Sequence, residues 1–238
     1  MVSAILPFVV QDAVVRRRGK VLVGPVDFTL SATGISIVIG PNGAGKTSLL
    51  RMMHGLERLS AGEAHWAVSL DEARRRQAFV FQTPRMMRRT VRDSIAFPLT
   101  LTGTSKKAAR AQAEVWAGRV GLSDLLGFQA SVLSGGERQK LALARALIRH
   151  PDVLFLDEPC ASLDGRATRE IEEILARAVA DGTRLVMSTH DMGQARRLAS
   201  EVIFMFAGRI HEHQSAVDFF AAPNTTQARA FVRGDIVE

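Results

Sequence analysis

Near its start, the chain has a short apolar segment followed at once by a glycine-rich loop. Residues 35–39 are mostly apolar and β-branched, which is typical of a strand buried on both faces. Residues 40–47 contain three glycines, and apolar residues at helical spacing follow over residues 48–57. A strand, a glycine loop and a helix in this order are typical of folds in which helices cover a parallel sheet. The segment therefore predicts an α/β protein.

The loop has the spacing G-x-x-x-x-G-K-[ST], which indicates phosphate binding when it lies between a strand and a helix. Glycines let the backbone curl so that successive N–H groups point at phosphate oxygens, an approach that Cβ atoms would block. Lys46 supplies positive charge for the β- and γ-phosphates, and Thr47 offers its hydroxyl to Mg²⁺. The predicted nucleotide-binding residues of this loop are Gly40, Pro41, Asn42, Gly43, Ala44, Gly45, Lys46, Thr47 and Ser48.

The rest of the chain alternates short apolar strands with helices, as a parallel α/β core requires. Strands are predicted at residues 78–81, 153–156 and 184–188, and a terminal hairpin at residues 202–206 and 209–212. Helices are predicted at about residues 105–126, 137–150 and 166–180. Because no internal repeat interrupts this order, residues 1–238 are predicted to form a single domain.

The composition excludes several classes of protein. Apolar residues make up 47% and charged residues 23% of the chain, as in folded soluble proteins. No apolar run reaches the roughly 18 residues of a membrane span, and residues 1–10 lack the pattern of a signal peptide. The net charge of +7 favours an anionic partner such as a nucleotide, a nucleic acid or a lipid surface. Cys160 is the single cysteine, which fits a reducing cytoplasm.

Two adjacent carboxylates follow the strand at residues 153–156, a costly place unless they serve a cation or a proton transfer. Asp157 fits an acid that holds Mg²⁺ through water, and Glu158 fits a group that accepts a proton from the water attacking a γ-phosphate. A further segment begins a helix with a serine, two glycines and a glutamate: Ser134, Gly135, Gly136 and Glu137. Its spacing is that of a capping box, and its N–H groups and hydroxyl also suit a γ-phosphate.

With these motifs, the sequence resembles the ATP-binding subunits of ABC transporters along nearly its whole length. The resemblance is carried by six segments in the family's order: residues 40–47, Gln82, residues 133–137, residues 153–159, residues 162–164 and His190. It implies a phosphate-loop NTPase core with a parallel sheet, an N-terminal antiparallel β portion and a helical subdomain inserted at about residues 84–150. It also implies ATP hydrolysis, ATP and Mg²⁺ as cofactors, and a chain without a regulatory C-terminal domain.

The resemblance also implies roles for single residues. Gln82 reaches Mg²⁺ and the attacking water, His190 contacts the γ-phosphate, and Asp164 lies at a dimer interface. The implied catalytic residues are Lys46, Gln82, Glu158 and His190, and the implied Mg²⁺ ligands are Thr47, Gln82 and Asp157. Two copies pair head to tail, so that Ser134, Gly135 and Gly136 of one copy close on ATP bound to the loop of the other. A homodimer is the simplest such pair. Its expected partners are a membrane permease and a solute-binding protein of the same system.

The chain contains no tyrosine, although family members usually stack adenine on an aromatic residue soon after the first strand. A guanidinium can stack on a base, so one of Arg16, Arg17 and Arg18 is a candidate, and Phe8 is another. A solvated turn explains the three arginines equally well, and the preference for ATP over GTP stays open. Cys160, His211 and His213 are expected to have structural roles.

Two purposes of hydrolysis compete: membrane transport, and action on nucleic acid or ribosomes. No heptad run separates Lys46 from Ser134, unlike in the repair ATPases of this superfamily, and the arginine clusters lack interleaved aromatic residues. Residues 83–98 resemble the importer segment that receives a short helix of the membrane subunit. Met86 and Met87 are expected either to contact that helix or to belong to the core. The sequence therefore predicts an importer subunit at the inner face of the cell membrane, most similar to importers of small oxyanions such as phosphate or tungstate.

Overall fold

The computed structural model describes residues 5–31 and 33–235 and confirms the predicted α/β fold. Its strands are β1 (Phe8–Arg17), β2 (Lys20–Leu30), β3 (Ile35–Ile39), β4 (Ala61–Trp66), β5 (Gln77–Val80), β6 (Val153–Asp157), β7 (Arg184–Ser188), β8 (Glu201–Phe206) and β9 (Arg209–Ser215). Its helices are α1 (Lys46–His54), α2 (Leu70–Arg75), α3 (Val91–Leu101), α4 (Lys106–Arg119), α5 (Gly135–Leu147), α6 (Gly165–Ala180), α7 (Met192–Leu198), α8 (Ala216–Ala221) and α9 (Thr226–Arg233). Short 3-10 turns lie at Ser123–Leu125 and Ala130–Val132.

Six strands form the central sheet in the order β5-β6-β7-β3-β8-β9. The first five run parallel, and β9 is antiparallel to β8. Every residue of β3, β6 and β7 is buried, because both faces of the sheet are covered. Since the carboxyl ends of parallel strands lie at the same edge, the loops that follow β3, β5, β6 and β7 meet there.

The two faces of the central sheet contact different parts of the chain. Leu154 and Leu156 point to one face, where they share a core with residues of α3, α4, α5 and α6. Val153 and Phe155 point to the other face, toward α1 and the N-terminal strands. The loop between β3 and α1 therefore lies where the central sheet meets the N-terminal part of the chain.

The N-terminal strands form the expected antiparallel portion, a three-stranded sheet in the order β2-β1-β4. Phe8 lies in its buried interior, 1% exposed, with its ring centroid 4.4 Å from that of Trp66. A buried ring cannot stack on a nucleotide base. The suggestion that Phe8 contacts adenine is therefore wrong.

Helices α3, α4 and α5 lie between β5 and β6 in the sequence, in the region where a helical subdomain is expected. Helix α3 is absent from the sequence prediction because Pro98, which lacks an N–H group, lies inside it. Its first turn is instead stabilised by Thr90, whose hydroxyl accepts a hydrogen bond from the Asp93 N–H at 3.2 Å. Among the described residues, no helix has the length and hydropathy of a membrane span.

Several helix boundaries differ from the prediction. The helix expected over residues 105–126 ends at Arg119, because Gly121 has a φ of +67° and the chain then turns. Helix α5 ends at Leu147 rather than at His150, whose φ of +49° is incompatible with a right-handed helix. Helices α1 and α5 each begin two residues earlier than their apolar spacing predicts, because their first turns contain polar or glycine residues.

A buried arginine joins the amino ends of neighbouring strands, at the edge opposite the loops. Arg184, the first residue of β7, is 1% exposed and donates to Glu201 Oε1 at 2.7 Å and to the Ser36 hydroxyl. Ser36 also hydrogen-bonds with Glu201, and His213 Nε2 lies 3.3 Å from Glu201 Oε2. The cluster connects β3, β7, β8 and β9 through one ion pair.

We expect Arg184→Met to lower the free energy of unfolding by about 3–5 kcal/mol, because it leaves a largely buried carboxylate without its guanidinium. The double variant Arg184→Met/Glu201→Met removes both charges and should lose clearly less. Urea unfolding followed by circular dichroism measures both values. Equal losses in the single and double variants would contradict this account.

Candidate functional site

The loop at residues 40–47 curls at the carboxyl end of β3. Gly40 and Gly45 have φ values of +147° and +103°. A Cβ on Gly40 would lie 2.1 Å from the Met205 carbonyl oxygen, and one on Gly45 would lie 2.8 Å from the Leu22 carbonyl oxygen. Glycine is therefore required at both positions. The N-terminus of α1 has no side-chain cap, so its first N–H groups are left for another acceptor.

Lys46 lies against its own loop. Its Nζ donates hydrogen bonds to the carbonyl oxygens of Gly40 at 2.9 Å and Pro41 at 3.2 Å. Burial lowers the pKa of this ammonium, and the negative charges of Glu158 and Asp157 partly offset that effect. The contacts place a positive charge beside the unpaired N–H groups, where an anion is stabilised.

Asp157 ends β6 and lies directly across from the loop. It is 4% exposed, and its Oδ1 accepts hydrogen bonds from the hydroxyls of Thr47 and Ser188, each at 2.9 Å. No role was predicted for Ser188 from the sequence. Its position as the last residue of the strand predicted at residues 184–188 is the signal that could have found it, and the pairing of β6 with β7 places it beside Asp157.

Glu158 is the centre of a second cluster. Its Oε2 accepts a hydrogen bond from Gln82 Nε2 at 3.3 Å and lies 3.1 Å from His190 Nδ1. Its backbone N–H donates to Ser188 Oγ at 3.0 Å, and its φ is +46°, an uncommon value for a residue other than glycine. The structure thus brings together Gln82, Glu158 and His190, each predicted separately, next to Asp157.

The segment at residues 134–137 forms hydrogen bonds within itself, unlike the groups around Asp157 and Glu158. The Ser134 hydroxyl accepts a hydrogen bond from the Glu137 N–H. The Ser134 backbone N–H donates to Glu137 Oε2 at 2.8 Å, which completes the capping box, and the Ser134 hydroxyl donates to the same oxygen at 2.7 Å. These hydrogen bonds from Ser134 lower the pKa of the Glu137 carboxyl. A Cβ on Gly136 would lie 3.2 Å from Ala167 Cβ, so the segment packs against α6.

Asp164 caps α6 and accepts a hydrogen bond from the Ala167 N–H at 2.8 Å. In the described part of the chain, no hydrogen bond joins Asp164 or residues 134–137 to the loop at residues 40–47. Within one copy, the predicted site residues therefore form two separate groups. The first surrounds Lys46 and Glu158, and the second lies at the starts of α5 and α6.

Cys160, His211 and His213, which were expected to have structural roles, have surroundings that fit such roles. Burial raises the pKa of the Cys160 thiol to about 11, which keeps it protonated and unreactive. His211 packs its ring edge to face against Phe206 at 5.3 Å, and His213 pairs with Glu201. The described residues contain no group of three or more histidine, cysteine and acidic side chains that could hold a metal ion.

The fold is shared with solved structures of nucleotide-binding proteins. An ATP-binding subunit of an ABC transporter superposes with a TM-score of 0.82 at 21% identity, over 96% of this chain and 99% of that chain. A bacterial Atm1-family ABC exporter with ATP bound superposes with a TM-score of 0.81 at 22% identity, over 99% of this chain and 44% of that chain. The chain therefore has the fold of these ABC proteins.

Sequence comparisons identify the family. The model of the ABC transporter family matches residues 23–161. The tungstate uptake system ATP-binding protein TupC of Peptoclostridium acidaminophilum is 36% identical over 200 residues, 82% of this chain and 92% of that protein. The phosphate import ATP-binding protein PstB 2 of Natronomonas pharaonis is 35% identical over 222 residues, 84% of this chain and 77% of that protein. The glutamine transport ATP-binding protein GlnQ of Geobacillus stearothermophilus is 31% identical over 220 residues, 87% of this chain and 90% of that protein.

The chain belongs to the ABC transporter family. It is an ATPase with ATP and Mg²⁺ as its cofactors, which confirms the activity and cofactors predicted from the sequence. Two of the relatives are named for tungstate and phosphate, in agreement with the predicted similarity to oxyanion systems.

We expect Lys46→Ala to weaken MgATP binding by at least about a hundredfold, because each hydrogen bond to a charged group is worth about 1.5–3 kcal/mol and alanine makes none to phosphate. Isothermal titration calorimetry measures the dissociation constant. Lys107→Ala, a change at an exposed lysine of α4, serves as the control and should bind normally. An unchanged dissociation constant in Lys46→Ala would remove this lysine from the site.

Proposed function

We propose that this chain is the ATP-hydrolysing subunit of an importer, coupling Mg-ATP binding, dimer closure and hydrolysis to solute import through a separate membrane permease. The observation that carries the proposal is the position of Glu158 between Gln82 and His190, beside the Thr47–Asp157 hydrogen bond. The relatives named for import or uptake support the direction of transport. The subunit acts in the cytoplasm, at the inner face of the cell membrane.

The loop at residues 40–47 receives the phosphates of ATP. Lys46 exchanges its two carbonyl acceptors for β- and γ-phosphate oxygens, and the unpaired N–H groups of α1 contact the same anion. The Thr47 hydroxyl and the Asp157 carboxylate, with the Gln82 amide, are hard oxygen donors of the kind that Mg²⁺ prefers, so the residues present fit this ion. When Mg²⁺ is bound, Thr47, Gln82 and Asp157 would hold it. When bound, Mg²⁺ neutralises charge on the phosphate oxygens.

Glu158 serves as the general base. Its carboxylate accepts the proton of the attacking water, while Gln82 orients that water and His190 contacts the γ-phosphate. The strained φ of Glu158 supports this role, because such strain is retained mainly where it positions a functional group.

We expect Glu158→Gln to bind MgATP with normal affinity and to lose at least about a hundredfold in kcat, since general-base catalysis contributes about 10²–10⁴-fold. The amide keeps the size of the side chain but cannot take the proton. Phosphate release measured under saturating MgATP gives kcat. Glu173→Gln on the exposed face of α6 is the matched control and should turn over normally. Normal turnover by purified Glu158→Gln would remove it as the base.

The second group of site residues supports a head-to-tail dimer. Ser134, Gly135 and Gly136 form a helix N-terminus suited to a γ-phosphate, yet their hydrogen bonds do not reach the loop of the same copy. In a head-to-tail homodimer they close on ATP held by the partner copy. Asp164, exposed at the start of α6, then lies at the interface.

The adenine contact is assigned to the turn between β1 and β2. Leu22, near the start of β2, approaches Gly45 of the phosphate loop, so this turn lies next to the nucleotide site. Arg16, Arg17 and Arg18 are exposed there, and a guanidinium stacks well on a base. With Phe8 buried, these arginines are the remaining candidates.

A cleft of about 980 Å³ between β5, α3 and α5 supports a permease contact. Its apolar lining includes Phe81 and Leu101, which are 44% and 69% exposed. Five arginines also line it: Arg51, Arg75, Arg85, Arg145 and Arg149. None of the five pairs with a carboxylate in the described part of the chain. An amphipathic helix of the membrane subunit with acidic residues complements both the apolar and the basic surface.

Met86 and Met87, each expected either to contact the membrane subunit or to belong to the core, lie outside this cleft. Met86 is half-buried and packs against the main core, and neither Met86 nor Met87 lines the cleft. This packing supports the core alternative for Met86. The surface that receives the helix is assigned instead to Phe81, Phe97 and Leu101. We also propose that residues 84–150 form a helical subdomain within a single domain.

We expect tagged Glu158→Gln protein, isolated with MgATP from detergent-solubilised cells, to co-purify a polytopic membrane protein. Adding Leu101→Asp should abolish that capture, because it places a carboxylate in the apolar part of the cleft. Val217→Asp, at an exposed valine of α8, is the control and should leave it intact. Recovery of nucleic acid or ribosomes without any permease would overturn the transport proposal and leave the ATPase activity unaffected.

A further inference from the structure

One buried hydroxyl contacts both acidic residues of the site. Ser188, the last residue of β7, is fully buried, and the register of the sheet pairs it with Asp157. Its Oγ donates a hydrogen bond to Asp157 Oδ1 at 2.9 Å and accepts one from the Glu158 N–H at 3.0 Å. The same group therefore touches the residue assigned to Mg²⁺ and the residue assigned to the proton of the attacking water.

The two hydrogen bonds of the Ser188 hydroxyl depend on each other. A hydroxyl has one proton to donate and two lone pairs that accept. Because its proton is directed at the Asp157 carboxylate, its lone pairs are left for the Glu158 N–H. A hydrogen bond to a charged acceptor is stronger than a neutral one, and hydrogen bonds in a chain strengthen one another. The hydroxyl thus connects the positions of the two acidic residues.

The backbone of Glu158 needs this support. Its φ of +46° is an uncommon conformation that persists only where the surrounding contacts impose it. Its N–H is shared between the Ser188 hydroxyl and the Ser188 carbonyl oxygen, the latter at 3.2 Å, and its carbonyl accepts from the Ala161 N–H at 3.1 Å. Its side chain lies 3.1 Å from His190, two residues after Ser188. The end of β7 therefore holds both the backbone and the carboxylate of Glu158.

We propose that Ser188 is a positioning residue whose hydroxyl fixes Asp157 and Glu158 relative to each other. Alanine at this position keeps the strand and the carbonyl contact to the Glu158 N–H, but it removes the hydroxyl contact to both acidic residues. Both carboxylates can then turn away from the positions in which they serve the cation and the attacking water. The inference rests on the roles proposed above for Asp157 and Glu158.

The test compares Ser188→Ala with Ser188→Thr, which keeps a hydroxyl on a side chain that suits a strand. We expect Ser188→Ala to lower kcat about tenfold or more, because a misplacement of about 1 Å can lower a rate about 100-fold. The dissociation constant of ATP measured without Mg²⁺ should stay within about twofold of normal, since the contacts of Lys46 are unchanged. Ser188→Thr should keep kcat within about threefold of normal.

Ser36→Ala is the matched control. Ser36 is also fully buried in the central sheet and also donates to a carboxylate, that of Glu201, but it lies at the opposite edge, away from the site. Both alanine variants should lose stability to a similar extent, as thermal unfolding measures. Only Ser188→Ala should lose kcat, which is obtained from phosphate release under saturating MgATP at a temperature where every variant is folded.

A second readout does not depend on hydrolysis. With a non-hydrolysable ATP analogue bound, calorimetry gives the dissociation constant of Mg²⁺. It should rise several-fold in Ser188→Ala, because Asp157 is held less firmly, and should stay normal in Ser36→Ala.

A normal kcat or a normal Mg²⁺ affinity in Ser188→Ala overturns the proposal. An equal fall of kcat in Ser36→Ala, or in a folded Ser188→Thr, overturns it as well, because the loss is then not due to this hydroxyl. If Ser188→Thr does not fold, the comparison of the two alanine variants decides. Glu158→Gln measured alongside separates the two proposals, because normal turnover there refutes the assignment of the base, whatever Ser188→Ala does.

Discussion

The hydrogen bonds that Asp157 accepts from Thr47 and Ser188 are the interaction on which the site depends. They join the end of β6 to the start of α1 and to the end of β7, across separations of 110 and 31 positions in the chain. A buried carboxylate is tolerated only when it is hydrogen-bonded, and both hydroxyls donate to the same oxygen, Asp157 Oδ1. Because β6, β7 and β3 are neighbouring parallel strands, this pairing also sets how far Glu158 lies from the phosphate loop and from His190.

The same arrangement keeps the two groups of predicted site residues apart within one copy. The loop, Asp157 and Glu158 lie at the carboxyl edge of the sheet, whereas Ser134 and Gly136 lie on α5 and pack against α6. This separation is the reason for proposing that the second group closes on the nucleotide of another copy. The basic, partly apolar cleft beside β5 lies next to Gln82, so a partner helix seated there would contact the chain close to the reacting groups.

The parallel core, the phosphate loop and the acidic strand end were predictable because each is signalled by contiguous residues. The errors occurred where local pattern is weak. Helix α3 contains Pro98, and β4 is an exposed strand with no apolar alternation, so neither was identified. Phe8 was a reasonable aromatic candidate from position alone, and only its packing against Trp66 excludes it. Burial of a side chain depends on distant segments that no local window contains.

The sequence by itself determined which chemical groups are present: a loop that curls around phosphate, a lysine, a hydroxyl and two carboxylates. Each group is identified by a few neighbouring residues, through the backbone conformation that they allow or the charge that they carry. Only the tertiary structure decided which of these groups meet. It brought Gln82, Glu158 and His190 together, separated them from Ser134, and made Ser188 a partner of Asp157. The physical reason is that these contacts arise from strand order and helix packing, which depend on the burial of apolar surface over the whole chain.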